Sequence, residues 1–242
     1  MPRFFTEDFR EGNSFAVISG EDAVHISKSL RMREGDPITL CNKKSTDFFG
    51  TVQSIDGKQV VVEITGSCPS ASEPTVQVSL FQALPKGDKM DWIVQKSVEL
   101  GVFQICPVIT KRCISRPEKT AWERKRERFQ KISYEAAKQC GRGIVPEIGE
   151  LLTLEEAFQR MSCCDLPILF YEQSSRPFAP ILNCKWKSAA VLVGSEGGFE
   201  PEEAEQAVQA GITDASLGSR ILRCETAPLA VLSALMFQSG NL

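Results

Sequence analysis

Two apolar runs that break at glycine constrain this chain more than any other feature. The first is Val-Leu-Val-Gly-Ser-Glu-Gly-Gly-Phe (191–199). The second is Leu-Gly-Ser-Arg-Ile-Leu-Arg-Cys-Glu-Thr-Ala (217–227), and it leads into a long apolar stretch. Residues 189–193 are short, apolar and closed by Gly194, which predicts a buried strand. Gly194, Gly197 and Gly198 then permit backbone that other residues disfavour and let a ligand approach the main chain closely. Two such loops side by side at strand ends describe a ligand pocket in an α/β sheet.

Charge narrows what that pocket can hold. The glycine loop contains no Lys, and Glu196 and Glu200 sit inside or beside it. A phosphate cradle wants backbone N–H groups plus a cation, and the Lys-Ser/Thr ending of a P-loop is missing. The G-x-G-x-x-G dinucleotide fingerprint is missing too. Two carboxylates near the loop would repel an anion and suit a neutral or cationic ligand. A purely structural turn carrying a solvated Glu remains the alternative.

The rest of the chain places these loops in an α/β frame. Residues 14–19, 37–41, 48–55 and 59–65 are short segments rich in Val, Ile, Phe and Thr. Asp56-Gly57 between the last two is a hairpin signal. A helix over 21–32 interrupts them, and the turn-rich segment 66–74 predicts a linker. Strands and helices then alternate. Strands are predicted at 76–84, 105–109, 167–171, 189–193 and 212–217. Asp88 is expected to cap a helix whose buried face holds Met90, Ile93, Val94 and Ser97. Thr120-x-x-Glu123 and Thr153-x-x-Glu156 have capping-box form. The first opens a long helix with an apolar face of Trp122, Phe129, Ile132, Ala136 and Cys140. Pro201 is the N1 residue of a helix over 201–210, and 226–238 is an apolar closing helix. Such alternation predicts a mostly parallel sheet with helices on both faces.

These motifs resemble the RsmE family of ribosomal RNA methyltransferases, which belong to the SPOUT class. The resemblance lies in Gly194-Ser-Glu-Gly-Gly-Phe and Leu217-Gly-Ser-Arg-Ile-Leu-Arg-x-Glu-Thr-Ala. Upstream it includes Gln82-Ala-Leu-Pro-Lys-Gly-Asp-Lys-Met, Gln95-Lys-Ser-Val-Glu-Leu-Gly-Val and Glu135-Ala-Ala-Lys-Gln-Cys-Gly-Arg. Near the front it includes Arg3-Phe-Phe and His25 followed by Leu30-Arg-Met-Arg-x-Gly-Asp, so it covers nearly the whole chain. The family usually has Pro where Ser195 stands. The resemblance implies a PUA-like β-barrel over 1–72, an RNA-binding module, followed by a SPOUT α/β domain over 73–242 with a C-terminal trefoil knot. It further implies S-adenosylmethionine as cofactor, methylation of N3 of one uridine in 16S ribosomal RNA, and a homodimer. Composition and spacing alone give only α/β and would argue against a knot.

The expected cofactor residues fall at three strand ends. They are Phe170 and Glu172; Gly194, Glu196, Gly197 and Gly198; and Leu217, Gly218, Ile221, Leu222, Arg223, Thr226 and Ala227. Leu217, Ile221 and Leu222 supply an apolar slot or simply pack in the core, and Thr226 and Glu225 line the site or cap the final helix. Uridine N3 carries a proton at neutral pH, so stabilising charge or a base must help it react. Arg142 and Arg223 are the candidates for charge at the uracil and Glu225 for the proton acceptor. Glu135, Gln139 and Arg142 recur on one helical face, either toward the RNA or toward solvent.

Net charge is −3 with a pI near 5.5, so bulk charge does not draw this protein to nucleic acid. Locally, nine basic residues between Lys111 and Lys131 face only three glutamates. That cluster neutralises phosphates or forms a solvated helix face. Arg3, Arg31, Arg33, Lys86, Lys96, Arg124, Lys125 and Arg126 are the candidate RNA contacts, with a ribosomal RNA or small ribosomal subunit as partner. His25 is expected to be a packed helix residue. The nine cysteines lack C-x-x-C spacing, so reduced thiols and no metal site are expected. No run has membrane-span length and the start lacks a signal-peptide layout, which predicts a cytoplasmic protein without membrane partners. A non-catalytic RNA-binding protein, an α/β enzyme for a neutral small molecule, and methylation at another RNA position are the competing readings.

Overall fold

Alternating β-branched residues at the front of the chain build one sheet in the computed structural model, which describes residues 1–6 and 12–242. Its strands are β1 (Arg3–Phe5), β2 (Phe15–Ser19), β3 (Pro37–Cys41), β4 (Thr46–Ile55) and β5 (Gln59–Pro69), ordered β1-β3-β4-β5-β2. β1 runs parallel to β3, and every other pairing is antiparallel. The Asp56-Gly57 signal is realised: the Asp56 carboxylate accepts from the N–H groups of Lys58 and Gln59, and Gly57 takes φ +84.

Register shifts at Phe49/Gly50 and Val52/Ser54 bend β4, and such bulges increase curvature. The sheet curls over Phe4, Ile26, Ile38, Leu40, Phe48 and Val60. The edge strands β1 and β2 do not pair with each other among the described residues, so the curl is a half-barrel and not a closed barrel.

Three local expectations shift here. The helix predicted over 21–32 is α1 (Gly20–Val24) followed by a π-helical turn at His25–Ser29, where the Leu30 N–H reaches the His25 carbonyl at 2.9 Å. His25 is exposed, with its ring edge-on to Phe4. The segment expected to be linker is strand as far as Pro69.

From Pro74 onward the chain alternates. Its elements are β6 (Gln77–Ala83), α2 (Lys89–Glu99), β7 (Gln104–Val108), α3 (Lys119–Cys140), β8 (Glu147–Ile148), α4 (Leu154–Met161) and β9 (Leu166–Phe170). Then come α5 (Phe178–Ile181), β10 (Ser188–Val193), α6 (Pro201–Gln209), β11 (Thr213–Ala215) and α7 (Ala227–Gln238). Six parallel strands are ordered β11-β9-β10-β6-β7-β8. β10 is central and apolar from Ala189 onward, as a parallel strand covered on both faces must be. After β8 the chain crosses to the other side of β6, so strand order reverses at the β6–β10 pair. Register sets Val193 opposite Phe170 and Phe170 opposite Ala215, so the carboxyl ends of β9, β10 and β11 finish together. α7 returns from the β11 edge to pack on α2, β6 and β10.

Helix starts follow the sequence in part. Thr153 and Glu156 form their reciprocal capping box, and Pro201 opens α6. Met90, Ile93, Val94 and Ser97 are buried on α2 as expected, but Asp88 makes no side-chain cap bond. Thr120 caps nothing: α3 begins at Lys119, and the Trp122 N–H already bonds the Glu118 carbonyl. The chain forms two units, Met1–Glu73 with Ala137–Val145, and Pro74–Ala136 with Pro146–Leu242. No helix among the described residues is long and apolar enough to cross a membrane.

Gly50 lies under β5 so closely that a Cβ there would stand 2.4 Å from the Glu63 carbonyl oxygen. Gly50→Val is therefore expected to destabilise the half-barrel by more than about 2 kcal/mol. A urea midpoint equal to the wild type would show that β4 and β5 are free to separate.

Candidate functional site

The loops following β9, β10 and β11 enclose a cleft of about 860 Å³ in the second unit. The β10 loop folds back on itself through a Gly198 N–H to Ser195 carbonyl bond of 3.0 Å. Gly198 adopts φ +67, and a Cβ on it would lie 2.7 Å from a Glu172 carboxylate oxygen. A Cβ on Gly194 would meet Gly198 and the Phe199 ring, both at 3.1 Å, and one on Gly197 would meet Arg112 at 2.9 Å. Glycine is thus required because other parts of the protein occupy the space. In the β11 loop the Ser216 hydroxyl accepts the Gly218 N–H, and the Arg223 carbonyl accepts from Thr226 and Ala227 at the start of α7. Phe178 packs edge-on against Phe170, 4.8 Å between centroids.

The electrostatics differ from the sequence expectation. Glu196 and Glu200 are not bare carboxylates. Arg112 binds Glu200 through two nitrogens at 2.9 and 3.0 Å and donates to the Gly197 carbonyl. Lys89, at the start of α2, bridges Glu196 at 3.1 Å and Glu225 at 3.3 Å. Burial works against the charge on Glu196, yet backbone donors and Lys89 outweigh it and hold its carboxyl below the usual range. Glu225 is likewise depressed: burial opposes its charge, but the Cys224 thiol, its own backbone N–H and Lys89 prevail. Donating a hydrogen bond to Glu196 raises the pKa of the Lys89 ammonium, and burial pushes the Cys224 thiol up to about 12. Glu172 lines the cleft with no hydrogen-bond or ion-pair partner among the described residues. The hydroxyls of Ser195 and Tyr171, both cleft residues, are buried without a partner.

The structure brings most of the expected cofactor residues together. Phe170, Glu172, Gly194, Glu196, Gly197, Gly198, Leu217, Gly218, Ile221, Leu222, Arg223 and Ala227 all line the cleft, whereas Thr226 does not. Thr226 precedes α7 without a side-chain cap bond. Ile221 does not build an apolar slot, because its side chain is 85% exposed at the rim. Lys89, Tyr171, Ser195, Phe199 and Arg220 also line the cleft and were not anticipated. Ser195 and Arg220 lie inside the two motifs, so motif continuity was the available signal. Lys89 comes from a distant element, and its signal was its place in the upstream motif that begins at Gln82.

Several charged candidates are engaged elsewhere. Arg142 lies beyond the end of α3, is 3% exposed, and binds Glu73 at 2.7 Å in the first unit. Glu73 also accepts the N–H groups of Gly143 and Ile144. Arg142 is therefore not on the helical face shared by Glu135 and Gln139, and it does not line the cleft. Arg3 holds Asp47 and the Arg142 carbonyl. Arg126 ties α3 to β8 through the Ile148 carbonyl, Glu147 and Glu150. Lys96 pairs with Glu99 and lies over the Trp92 ring. For these three the charge is already matched within the protein. Arg31, Arg33, Lys86, Arg124 and Lys125 are exposed.

Glu196 and Glu225 have folded pKa values below the ordinary 4.5. Their stabilisation is complete above that value and is lost as pH falls through the depressed range. Lys89→Met is expected to lower the thermal midpoint at pH 7 and to flatten its fall below pH 4.5. Parallel curves for the two proteins would mean Lys89 does not hold the carboxylates in solution.

Comparisons with known proteins agree with this frame. Residues 72–236 match a family model described as an RNA methyltransferase domain, and 18–65 match an RNA methyltransferase PUA domain. The chain is 34% identical to ribosomal RNA small subunit methyltransferase E of Bacillus subtilis, covering 99% of this chain and 97% of that one. Against the enzyme of the same name from a Buchnera aphidicola strain it is 29% identical, covering 100% and 95%. Among solved structures, the Neisseria gonorrhoeae methyltransferase E bound to S-adenosyl methionine superposes with a TM-score of 0.86, at 31% identity over 98% of this chain and 97% of that one. A Legionella pneumophila methyltransferase with bound S-adenosylmethionine gives 0.84 at 30% identity over 97% and 96%. With a cleft at the carboxyl ends of β9, β10 and β11 and relatives matched end to end, the chain belongs to the RsmE family of SPOUT-class ribosomal RNA methyltransferases.

Proposed function

We propose that this RNA methyltransferase binds S-adenosylmethionine in the cleft and methylates N3 of one uridine in 16S ribosomal RNA. The observation that carries the reading is the three-loop cleft with its orphaned Ser195 hydroxyl and unpartnered Glu172, in a chain matched over its length by relatives solved with that cofactor.

The lining fits the group. Phe170, Leu217 and Leu222 offer apolar surface for a purine. Main chain at Gly194–Gly198 and Gly218 offers N–H and carbonyl groups for its edge, and Glu172 offers a carboxylate for positive charge. When bound, the cofactor supplies an electrophilic methyl on a sulfonium. The protein's part is alignment of the uracil, which alone contributes much of such a rate. Arg223, exposed at the cleft, stabilises the charge that develops on the uracil as N3 gives up its proton to solvent water. Glu225 is a weak proton acceptor here because its carboxyl is depressed and paired with Lys89. It acts by holding Lys89.

In this reading residues 1–72 form the RNA-binding domain and 73–242 the methyltransferase domain with its C-terminal knot. The crossing of α7 from the β11 edge back to β6 supports the knot. A homodimer is supported by Trp92 on α2 and Phe237 on α7, 51% and 75% exposed on two helices that pack together. The cell compartment in this reading is the cytoplasm, where a ribosomal RNA substrate is met.

Titration calorimetry of the purified chain with S-adenosylmethionine is expected to show one site per chain. Gly198→Val, which forces a side chain into φ +67 against Glu172, should weaken it at least about tenfold. Unchanged affinity would mean the cofactor sits elsewhere. Nucleoside mapping of 16S RNA from cells lacking the protein should show one 3-methyluridine lost, and its persistence would refute the assigned position. For RNA holding, reversing Arg124 and Lys125 to Glu should weaken binding and flatten its salt dependence by about one unit of slope for each phosphate no longer neutralised. Reversing Arg126, already paired with Glu147 and Glu150, should lower stability and leave the slope unchanged.

A further inference from the structure

Among the described residues Ile221 is the most exposed of the large apolar side chains, at 85%, and it stands at the rim of the cleft. Its neighbours alternate in a telling way. Arg220 and Arg223 are exposed, while Leu222 is half-buried and Cys224 buried. Neither arginine has a side-chain partner among the described residues, in contrast to Lys89, which lines the same cleft and is paired with Glu196 and Glu225. The loop from Ser216 to Cys224 carries no acidic residue. Both its ends are fixed: the Ser216 N–H bonds the Arg176 carbonyl at 2.8 Å, and the Arg223 carbonyl accepts from Thr226 and Ala227. An apolar tip between two free cations, on a loop anchored at both ends, is a poor arrangement in water and a good one against a stacked polyanion.

Resting on the methyltransferase reading, we propose that Ile221 is a wedge that fills the stack vacated by the target uridine, with Arg220 on a flanking phosphate while Arg223 faces the uracil. N3 lies on the Watson–Crick edge, so the base must leave its stack to reach a methyl donor inside the cleft. Nucleic-acid-binding proteins hold such an opened step by inserting an apolar side chain between bases. A cationic side chain on a neighbouring phosphate then fixes the register. Ile221 has the required position, shape and charged flanks. Its role is to position the substrate and not to react with it.

The test uses the full chain, radiolabelled S-adenosylmethionine, and both protein-free 16S RNA and small ribosomal subunits from cells lacking the enzyme. Single-turnover methyl transfer is measured for wild type, Ile221→Ala, Ile221→Leu and Ile221→Asp, beside cofactor affinity by calorimetry and oligomeric state by light scattering. The wedge predicts that Ile221→Ala slows transfer at saturating RNA about tenfold and Ile221→Asp more, while Ile221→Leu stays near wild type, because the side chain is what stabilises the open state. Cofactor affinity and oligomeric state should be the same in all four. An Ile221→Ala protein that transfers at the wild-type rate overturns the wedge while leaving the enzyme reading intact. Cofactor affinity that falls in step with rate would make Ile221 a cofactor contact, and an altered oligomeric state would make it a subunit contact, either of which also overturns it. Absence of transfer by the wild-type chain to the RNA and to the subunits alike would overturn the functional reading and the wedge with it.

Discussion

Lys89 is the residue on which the site geometry depends. One ammonium at the start of α2 reaches a carboxylate in the β10 loop and another just before α7, at 3.1 and 3.3 Å. These three segments are far apart in the chain and share no main-chain ladder. A single cation between two anions settles charges that would otherwise repel, and it does so at less than one-third exposure, where screening is reduced. The depressed carboxyls of Glu196 and Glu225 are the consequence, and they keep both groups ionised throughout the neutral range.

This arrangement changes what the loop charges mean. Glu196 and Glu200 shape the cleft by binding Lys89 and Arg112, so they do not present bare charge to a ligand. Glu172 is left to do that, and it can sit where it does only because Gly198 has no side chain. The glycines therefore act first on the protein itself, allowing Glu172, Phe199 and Arg112 to close in around the β10 loop. Space for the ligand follows from that closure.

The same division runs through the basic residues. Arg3, Arg126, Arg142 and Lys96 are held by carboxylates or carbonyls of their own units, and their guanidinium or ammonium groups stabilise the fold. Arg124, Lys125, Arg220 and Arg223 are exposed with no such partners among the described residues. A run of cations in sequence mixes the two populations, because Arg124 and Lys125 differ from Arg126 only in which side of α3 they occupy. Helical phase, and the presence of Glu147 and Glu150 beside one phase alone, separates them.

Local patterning was sufficient for the α/β alternation, the buried faces of α2 and β10, the Asp56-Gly57 hairpin and the Thr153 box, since each depends on neighbours a few residues apart. It was also sufficient to collect most of the cleft, because motifs at strand ends become adjacent wherever parallel strands do. Three-residue β1, two-residue β8 and the π-turn after α1 are too short to carry a period, and Thr120 was outranked by a helix that starts one residue earlier. Lys89 bridging two loops, Glu73 capturing Arg142 and Ile221 turning into solvent are set by which distant segments meet. The chain's own order of residues determined the elements and the glycine loops. Tertiary packing alone decided which charges cancel and which stay open to a partner, because ion pairing depends on distance in space, and distance in space is what folding supplies.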